Sequence, residues 1–120
     1  KMHRDALEAG IGVYTIADCK RRGILPILDE ALERVAHLDA IMIGFDIDVV
    51  DRSQCPGAPG ARPGGMPVDM FFAAARHVAA HPKVSLVDLT EFDPSLDLSD
   101  ITSLTAGRWM CEILSGYSSR

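Results

Sequence analysis

The feature that constrains the fold most is an unbroken apolar run, IMIGF, at residues 41–45. It is short, contains β-branched residues, and lacks the alternation of apolar and polar residues that a half-exposed strand shows. A run of this kind is typical of a strand that is buried on both faces, and such strands occur mainly in parallel sheets. The run therefore favours an α/β fold over an antiparallel one.

Predicted strands and helices alternate along the rest of the chain. Short β-branched or apolar runs predict strands, whereas apolar residues that recur every three or four positions predict amphipathic helices. The predicted strands are residues 11–17, 40–48 and 83–92, and the predicted helices are residues 24–38, 68–80 and 101–114. This order implies parallel pairing through right-handed crossovers. Because a three-stranded sheet has two exposed edges, we expect more sheet to lie beside it.

Composition narrows the classes of function. The net charge of −5 and the isoelectric point near 5.2 argue against nucleic acid and anionic membranes as partners. No apolar stretch approaches the ~18 residues that span a bilayer. Cys19, Cys55 and Cys111 form no CxxC motif, so we expect inert thiols in a reducing cytoplasm. The 120 residues suit one domain and are too few for two.

Acidic residues stand where two of the predicted strands end. Asp46 and Asp48 follow the apolar run, and Glu91 closes the strand at residues 83–92. Ligands of α/β sheets bind outside the carboxyl ends of the strands, so these carboxylates share one rim if the two strands are neighbours. Two carboxylates so close repel each other unless a cation holds them, and oxygen ligands suit Mg²⁺ or Mn²⁺.

Plainer interpretations of these acids stay open. Asp46 and Asp48 could instead form a turn network of hydrogen bonds from backbone to side chain. Single acids at strand ends commonly cap the next helix or lie in solvent, and we expect one of these two roles for Asp51 and Asp93. Ser99 or Asp100 is expected to cap the last helix. A calcium loop of the EF-hand type fails, because DIDVVD lacks the Gly and the distal Glu that it needs.

The phrase FDIDVVDRSQCPGAPGARPGG, with LTEFDPSLDLSDITSLTAG after it, resembles the ureohydrolases, the family of arginase, agmatinase and formimidoylglutamase. The resemblance covers nearly all 120 residues, and the Pro/Gly loop is most similar to that of bacterial formimidoylglutamases. Gly44 stands where Ser or Thr is usual and Arg52 where Pro is common. Neither position carries a ligand in the family.

This resemblance implies a function and a set of site residues. It implies a three-layer α/β/α fold and hydrolysis of formimidoylglutamate to glutamate and formamide in histidine breakdown. Asp46 and Asp48 would bind two Mn²⁺ ions, and Glu91 would face the cationic substrate group. Asp48 or a residue upstream would carry a proton to the leaving nitrogen. Arg62 in the loop is a candidate partner for a substrate carboxylate, or a loop arginine in solvent.

The resemblance also implies what this chain does not carry. The G-G-D-H and D-x-H-x-D metal-binding motifs of the family do not occur in it. Residues 1–120 are therefore expected to be the C-terminal portion of a ureohydrolase, inactive alone and part of a homo-oligomer. Agmatine, arginine and related guanidino acids stay open as substrates. His77 and His81 share a helical face, but a surface pair is favoured over a metal site.

Two other classes compete with this interpretation. Phosphatases of the haloacid dehalogenase type also place D-x-D after an apolar strand, but the only later lysine, Lys83, lies at a strand start. A non-catalytic assembly module would use the apolar last helix, with Trp109 and Leu114, against other subunits. Burial of that helix in the core of the same chain is the favoured alternative.

Overall fold

The computed structural model describes residues 2–120, which divide into two compact units, one ending at His37 and the other formed by Leu38–Arg120. Assignment of the chain to one domain stays a prediction. The elements of the first unit are α1 Met2–Glu8, α2 Ile16–Arg22 and α3 Ile24–Arg34. Those of the second are β1 Ile41–Asp46, a 3₁₀ turn Ile47–Val49, α4 Val68–Ala79, β2 Val84–Thr90, a 3₁₀ turn Pro94–Leu96 and α5 Ile101–Ser118.

The predicted strand at residues 11–17 is wrong. Residues 11–15 have no regular secondary structure, and the chain enters α2 at Ile16. Local hydrogen bonds decide this: Thr15 Oγ1 accepts from Asp18 N at 3.2 Å, and Asp18 Oδ2 accepts from Thr15 N at 3.0 Å. This reciprocal capping box begins a helix and outweighs the β-branched and aromatic composition that favoured a strand.

The predicted α/β fold with parallel strands is confirmed. β1 and β2 pair in parallel, with Gly44 opposite Asp88 and Asp46 opposite Thr90. Within residues 2–120 the sheet has two strands, because the first predicted strand does not form. α4 coincides with its prediction almost to the residue, whereas α5 continues about one turn beyond its predicted end at residue 114.

Aromatic packing joins β1 to both helices of the second unit. The Phe45 ring meets Phe71 of α4 and Trp109 of α5 edge-on, with ring centroids 5.6 and 5.3 Å apart, a geometry that aromatic quadrupoles favour. Both helices therefore cover the same face of the sheet. On the other face Met42 is 62% exposed and Leu86 is 50% exposed. The expectation that β1 is buried on both faces is wrong for the described residues.

α4 and α5 approach each other closely at Gly116. A Cβ on Gly116 would lie 2.4 Å from the Arg76 carbonyl oxygen and 2.6 Å from Ala79 Cβ. One turn earlier, the buried Glu112 accepts hydrogen bonds of 2.6 Å from the Nε atoms of Arg76 and Arg108. These bonds from Arg76 and Arg108 hold the pKa of Glu112 below its ordinary value. A small residue, Gly116, and the ion pair between Arg76 and the buried Glu112 thus join the two helices.

The cap of α5 differs from the prediction. Asp100 adopts a left-handed conformation, with φ 58°, and its side chain makes no capping bond. Asp97 supplies the cap: its carboxylate accepts 2.9 Å hydrogen bonds from the backbone N–H groups of Thr102 and Ser103. Burial acts to raise the pKa of Asp97, but these hydrogen bonds outweigh it and hold that pKa well below the ordinary range.

The three cysteines differ in exposure, since Cys19 and Cys55 are buried and Cys111 is exposed. Cys19, Cys55 and Cys111 are all free thiols. Burial raises the pKa of Cys55 to about 11, which disfavours its reactive thiolate.

No helix within residues 2–120 is long and apolar enough to cross a membrane.

Candidate functional site

The acidic residues predicted from the sequence meet at one rim of the sheet. Their two strands are neighbours, which the sequence had left open, and they pair in parallel, so both strands end on the same side. Asp46 at the end of β1 lies opposite Thr90, and Glu91 follows Thr90 at once. Asp48 lies two residues beyond Asp46, in the 3₁₀ turn. The fold thus brings Asp46, Asp48 and Glu91 to the position where α/β sheets bind ligands.

The local geometry of Asp46 and Asp48 is a tight turn. We expected both side chains to project from one strand, but β1 ends at Asp46. Asp46 Oδ1 accepts a 2.9 Å hydrogen bond from Asp48 N, which caps the 3₁₀ turn. The turn network foreseen as an alternative therefore forms, but it occupies only one oxygen of Asp46.

Asp48 packs against the Pro/Gly loop at Gly60. Asp48 Oδ1 accepts a 2.9 Å hydrogen bond from Gly60 N. A Cβ on Gly60 would lie 1.8 Å from Asp48 Oδ2, so the loop approaches the carboxylate as closely as only glycine permits. The loop therefore fixes the orientation of Asp48.

The remaining oxygens of the pair suit a hard cation. Asp46 is exposed and Asp48 is half-buried, and neither Oδ2 atom has a hydrogen bond with the described residues. Oxygen donors of this kind are those that Mg²⁺ and Mn²⁺ take. No group of three or more His, Cys, Asp or Glu side chains in residues 2–120 is placed to hold a metal ion. The pair fits a metal site as a part of its ligand set.

Asp51 organises the loop instead of joining the pair. Its Oδ1 accepts from Ser53 N at 2.9 Å and from Ser53 Oγ at 2.6 Å, and its Oδ2 accepts from Gly64 N at 2.7 Å. The hydrogen bonds from Ser53 and Gly64 lower the pKa of Asp51. Asp93 likewise accepts from Ser95 N at 2.9 Å. Asp93 thus caps the 3₁₀ turn Pro94–Leu96, as expected, whereas Asp51 caps no helix and is bonded within its own loop.

Two arginines, Arg52 and Arg62, donate hydrogen bonds to backbone carbonyls of the Pro/Gly loop. Only Arg62 was a candidate functional residue from the sequence. The Arg62 Nη1 donates to the carbonyl oxygens of Pro59, Gly60 and Ala61, at 3.2, 2.7 and 3.0 Å. The Arg52 Nη1 donates to the carbonyls of Ala58 and Pro59. The carbonyl groups of a Pro/Gly loop are not paired with a neighbouring strand and need other donors. The arginines in and beside the loop could have been predicted from the sequence as those donors.

Glu91 has an unusual backbone conformation. Its φ is 64°, in the left-handed region that residues other than glycine rarely adopt. The side chain is exposed. Such strain costs about 1–3 kcal/mol and clusters at functional sites. The strained residue is the one that the sequence singled out at the end of β2.

The segment after Glu91 is tied to the loop through Gly57, which sequence reasoning missed. The Gly57 carbonyl accepts from Asp93 N at 2.8 Å, and Gly57 N donates to Thr102 Oγ1 at 2.8 Å. Both Gly57 and Thr102 are buried. These bonds hold the Pro/Gly loop, the turn after β2 and the start of α5 as one wall of the rim.

Replacing Gly60 with Ala is expected to destabilise the protein by about 1–3 kcal/mol, because the added methyl group must displace the Asp48 carboxylate. Urea unfolding measures this change. Gly44→Ala is the matched control, since a Cβ there meets nothing closer than Asp88 Oδ1 at 3.4 Å. Equal stability of the Gly60→Ala and Gly44→Ala proteins would contradict the close contact.

The sequence matches the Arginase family over residues 1–116. The chain belongs to this family. Formimidoylglutamase of Halalkalibacterium halodurans is 36% identical over 108 residues, which are 89% of this chain and 34% of that protein. Formimidoylglutamase of Bacillus subtilis is 33% identical over 112 residues, which are 92% of this chain and 35% of that protein. This arginase-family chain spans about a third of the length of those relatives.

Solved structures agree with this assignment. The crystal structure of Bacillus subtilis formimidoylglutamase matches 96% of this chain and 36% of its own, with a TM-score of 0.90 and 32% identity. A Trypanosoma cruzi formiminoglutamase, crystallised with Mn²⁺, matches 99% of this chain and 41% of its own, with a TM-score of 0.89. At 18% identity, the second match concerns the fold alone. The predicted arginase-like fold and family resemblance are confirmed.

Proposed function

We propose that this arginase-family chain is the C-terminal portion of a manganese-dependent amidine hydrolase that converts formimidoylglutamate to glutamate and formamide. The observation that carries the proposal is the strand-end pair, Asp46 and Asp48, whose Oδ2 atoms have no hydrogen bond with the described residues. The pair lies at the same rim of the sheet as Glu91, which has a φ of 64°. Relatives named formimidoylglutamase, 33–36% identical, favour this substrate. The enzyme is a cytoplasmic homo-oligomer in this proposal.

Asp46 and Asp48 would hold Mn²⁺ through their oxygens, together with ligands from other parts of the enzyme. When bound, two Mn²⁺ ions supply Lewis acidity that activates a water for attack on the amidine carbon. Asp48 is oriented for its role by Gly60 N at 2.9 Å. It would also carry a proton to the leaving nitrogen as the tetrahedral intermediate collapses.

Glu91 binds the cationic formimidoyl group in this mechanism. Its carboxylate accepts charge-assisted hydrogen bonds from the substrate N–H groups and stabilises the positive charge of the intermediate. The left-handed backbone of Glu91 sets the direction in which its side chain projects from the rim. The strain energy of this conformation is part of the folding free energy, so it adds nothing to the barrier of the reaction.

Replacing Glu91 with Gln is expected to lower kcat/KM for formimidoylglutamate by about 10²–10³-fold, because the neutral amide cannot match the developing positive charge. Steady-state kinetics of the full-length enzyme measures this ratio. Glu33→Gln removes the same charge from an exposed position in α3 and should leave kcat/KM unchanged. A Glu91→Gln enzyme as active as the Glu33→Gln enzyme would contradict the role of Glu91.

Arg62 is proposed to bind a carboxylate of the substrate in addition to its loop carbonyls. Arg62→Ala should then raise the KM for formimidoylglutamate by about tenfold or more, the loss expected when a charged hydrogen bond is removed. Arg52→Ala is the matched control, because Arg52 also donates to loop carbonyls. An unchanged KM in Arg62→Ala, or equal changes in both variants, would contradict substrate binding by Arg62.

A panel of substrates tests the proposed activity itself. The full-length enzyme, loaded with Mn²⁺, should hydrolyse formimidoylglutamate with a higher kcat/KM than agmatine or arginine. Preference for agmatine or arginine would replace the substrate and keep the reaction class. No hydrolysis of any of the three would favour the non-catalytic assembly module, for which the exposed Met110 and Leu114 on α5 are the candidate contacts.

A further inference from the structure

Asp88, in the middle of β2, has a buried oxygen without a partner. Asp88 Oδ1 is inaccessible to solvent and accepts no hydrogen bond within residues 2–120. A buried acceptor left without a donor costs about 1–3 kcal/mol, and more when it is charged. Native proteins seldom keep such atoms without a reason. The orphan oxygen therefore indicates a donor that the described residues do not supply.

The position of Asp88 points to the metal-binding rim. Asp88 lies opposite Gly44, and Asp46 is two residues further along β1. Residues two apart on a strand share a face and are about 7 Å apart. A Cβ on Gly44 would lie 3.4 Å from Asp88 Oδ1, so the carboxylate leans over β1 on the face that carries Asp46. Asp88 therefore lies on the neighbouring strand, diagonal to Asp46 and two residues further from the rim.

The surroundings restrict which group can be the donor. Gly44 has no side-chain donor, and the carboxylates of Asp46 and Asp48 are themselves acceptors. No histidine of residues 2–120 hydrogen-bonds to Asp88 Oδ1. A histidine that ligates a metal through one ring nitrogen donates its other N–H to a carboxylate or carbonyl in nearly every known site.

We infer that Asp88 is a positioning residue, whose carboxylate accepts a hydrogen bond from the imidazole of a histidine that ligates the metal held by Asp46 and Asp48. This inference rests on the proposed function. The described residues span about a third of the length of the relatives, and the imidazole belongs to another part of the enzyme. Asp88 fixes its orientation and raises its basicity as a ligand.

Replacing Asp88 with Asn in the full-length enzyme separates this role from simple packing. Asn has the same shape and keeps one acceptor oxygen but loses the charge, so the metal-free enzyme should melt near the wild-type temperature. Its affinity for Mn²⁺, measured by competition with a fluorescent chelator, should fall about 10–100-fold. Asp100→Asn, the same change at an exposed residue without a capping bond, should bind Mn²⁺ as the wild type does.

The outcomes separate this inference from the proposed function. Wild-type affinity in Asp88→Asn would overturn the inference and leave the proposed function standing, whereas a wild-type enzyme that binds no Mn²⁺ would overturn both. A structure of the Mn²⁺-loaded wild type gives a test that needs no folded variant. A ring nitrogen of a metal-ligating histidine should lie within about 3.2 Å of Asp88 Oδ1. Any other donor at that oxygen would overturn the inference.

Discussion

Asp48→Asn is expected to weaken Mn²⁺ binding by the full-length enzyme at least about 100-fold, beyond the 10–100-fold that loss of an outer partner costs. The substitution removes one of the two charges that offset the metal ions, and the amide is a poorer ligand than a carboxylate. Because Asn keeps a carbonyl oxygen, it can still accept from Gly60 N, as Asp48 Oδ1 does at 2.9 Å. The loop should therefore stay in place.

Metal titration and steady-state kinetics together check this prediction. Hydrolysis of formimidoylglutamate by Asp48→Asn should be low at Mn²⁺ concentrations that saturate the wild type. The value of kcat/KM should stay depressed at higher concentrations, because we also propose that Asp48 carries a proton to the leaving nitrogen. Asp51→Asn is an informative comparison, since Asp51 bonds only to its own loop. It should lower stability more than metal affinity. A larger loss of affinity in Asp51→Asn would contradict the assignment of the pair.

Gly116→Ala is expected to lower the free energy of unfolding by about 3 kcal/mol, near the upper end of the usual cost of overpacking. Ala is the better helix former by about 1 kcal/mol. However, its methyl group would lie 2.4 Å from the Arg76 carbonyl oxygen and 3.1 Å from the Ala79 carbonyl carbon. Both are backbone atoms of α4, which cannot rotate away as a side chain can. The clash therefore outweighs the gain in helix propensity, and the net effect on the free energy of unfolding is a loss.

Gly107→Ala is the matched control on the same helix. A Cβ on Gly107 meets no atom within 4 Å, so this substitution should stabilise the protein by up to about 1 kcal/mol. Urea unfolding of both variants, with equal m-values, measures the difference. If Gly116→Ala were as stable as Gly107→Ala, the close approach of α4 and α5 would be wrong.

The sequence predicted the rim of the site better than it predicted its details. Two apolar runs with an acid at each carboxyl end were sufficient to place Asp46 and Glu91 together, because parallel strands end on the same side. The 3₁₀ turn at Asp48 was not predictable from spacing, since it depends on a hydrogen bond to Asp46. Nor was the contact with Gly60, which depends on how the whole loop folds back.

For the fold as well, the elements that depend on a local sequence pattern were predicted better than the features that depend on particular hydrogen bonds. Amphipathic periodicity was sufficient for α4 and α5, whereas α3 ends at Arg34, four residues before its predicted end at residue 38. The β-branched and aromatic composition of residues 11–17 wrongly predicted a strand, because a capping box at Thr15 begins a helix there. From the sequence, a residue directly before α5, Ser99 or Asp100, was expected to cap the helix. The cap is Asp97, which accepts from Thr102 N five residues later. The usual capping pattern spans only two or three residues and therefore does not predict this bond.

The central claim is that Asp46 and Asp48 hold Mn²⁺ at the end of β1. Anomalous scattering at the manganese absorption edge, from crystals of the full-length enzyme grown with Mn²⁺, tests it most directly. Anomalous peaks are expected within about 2–2.5 Å of carboxylate oxygens of both residues. In Asp48→Asn these peaks should be lost or reduced to one. Peaks at other ligands, with both carboxylates bonded only to protein or water, would contradict it.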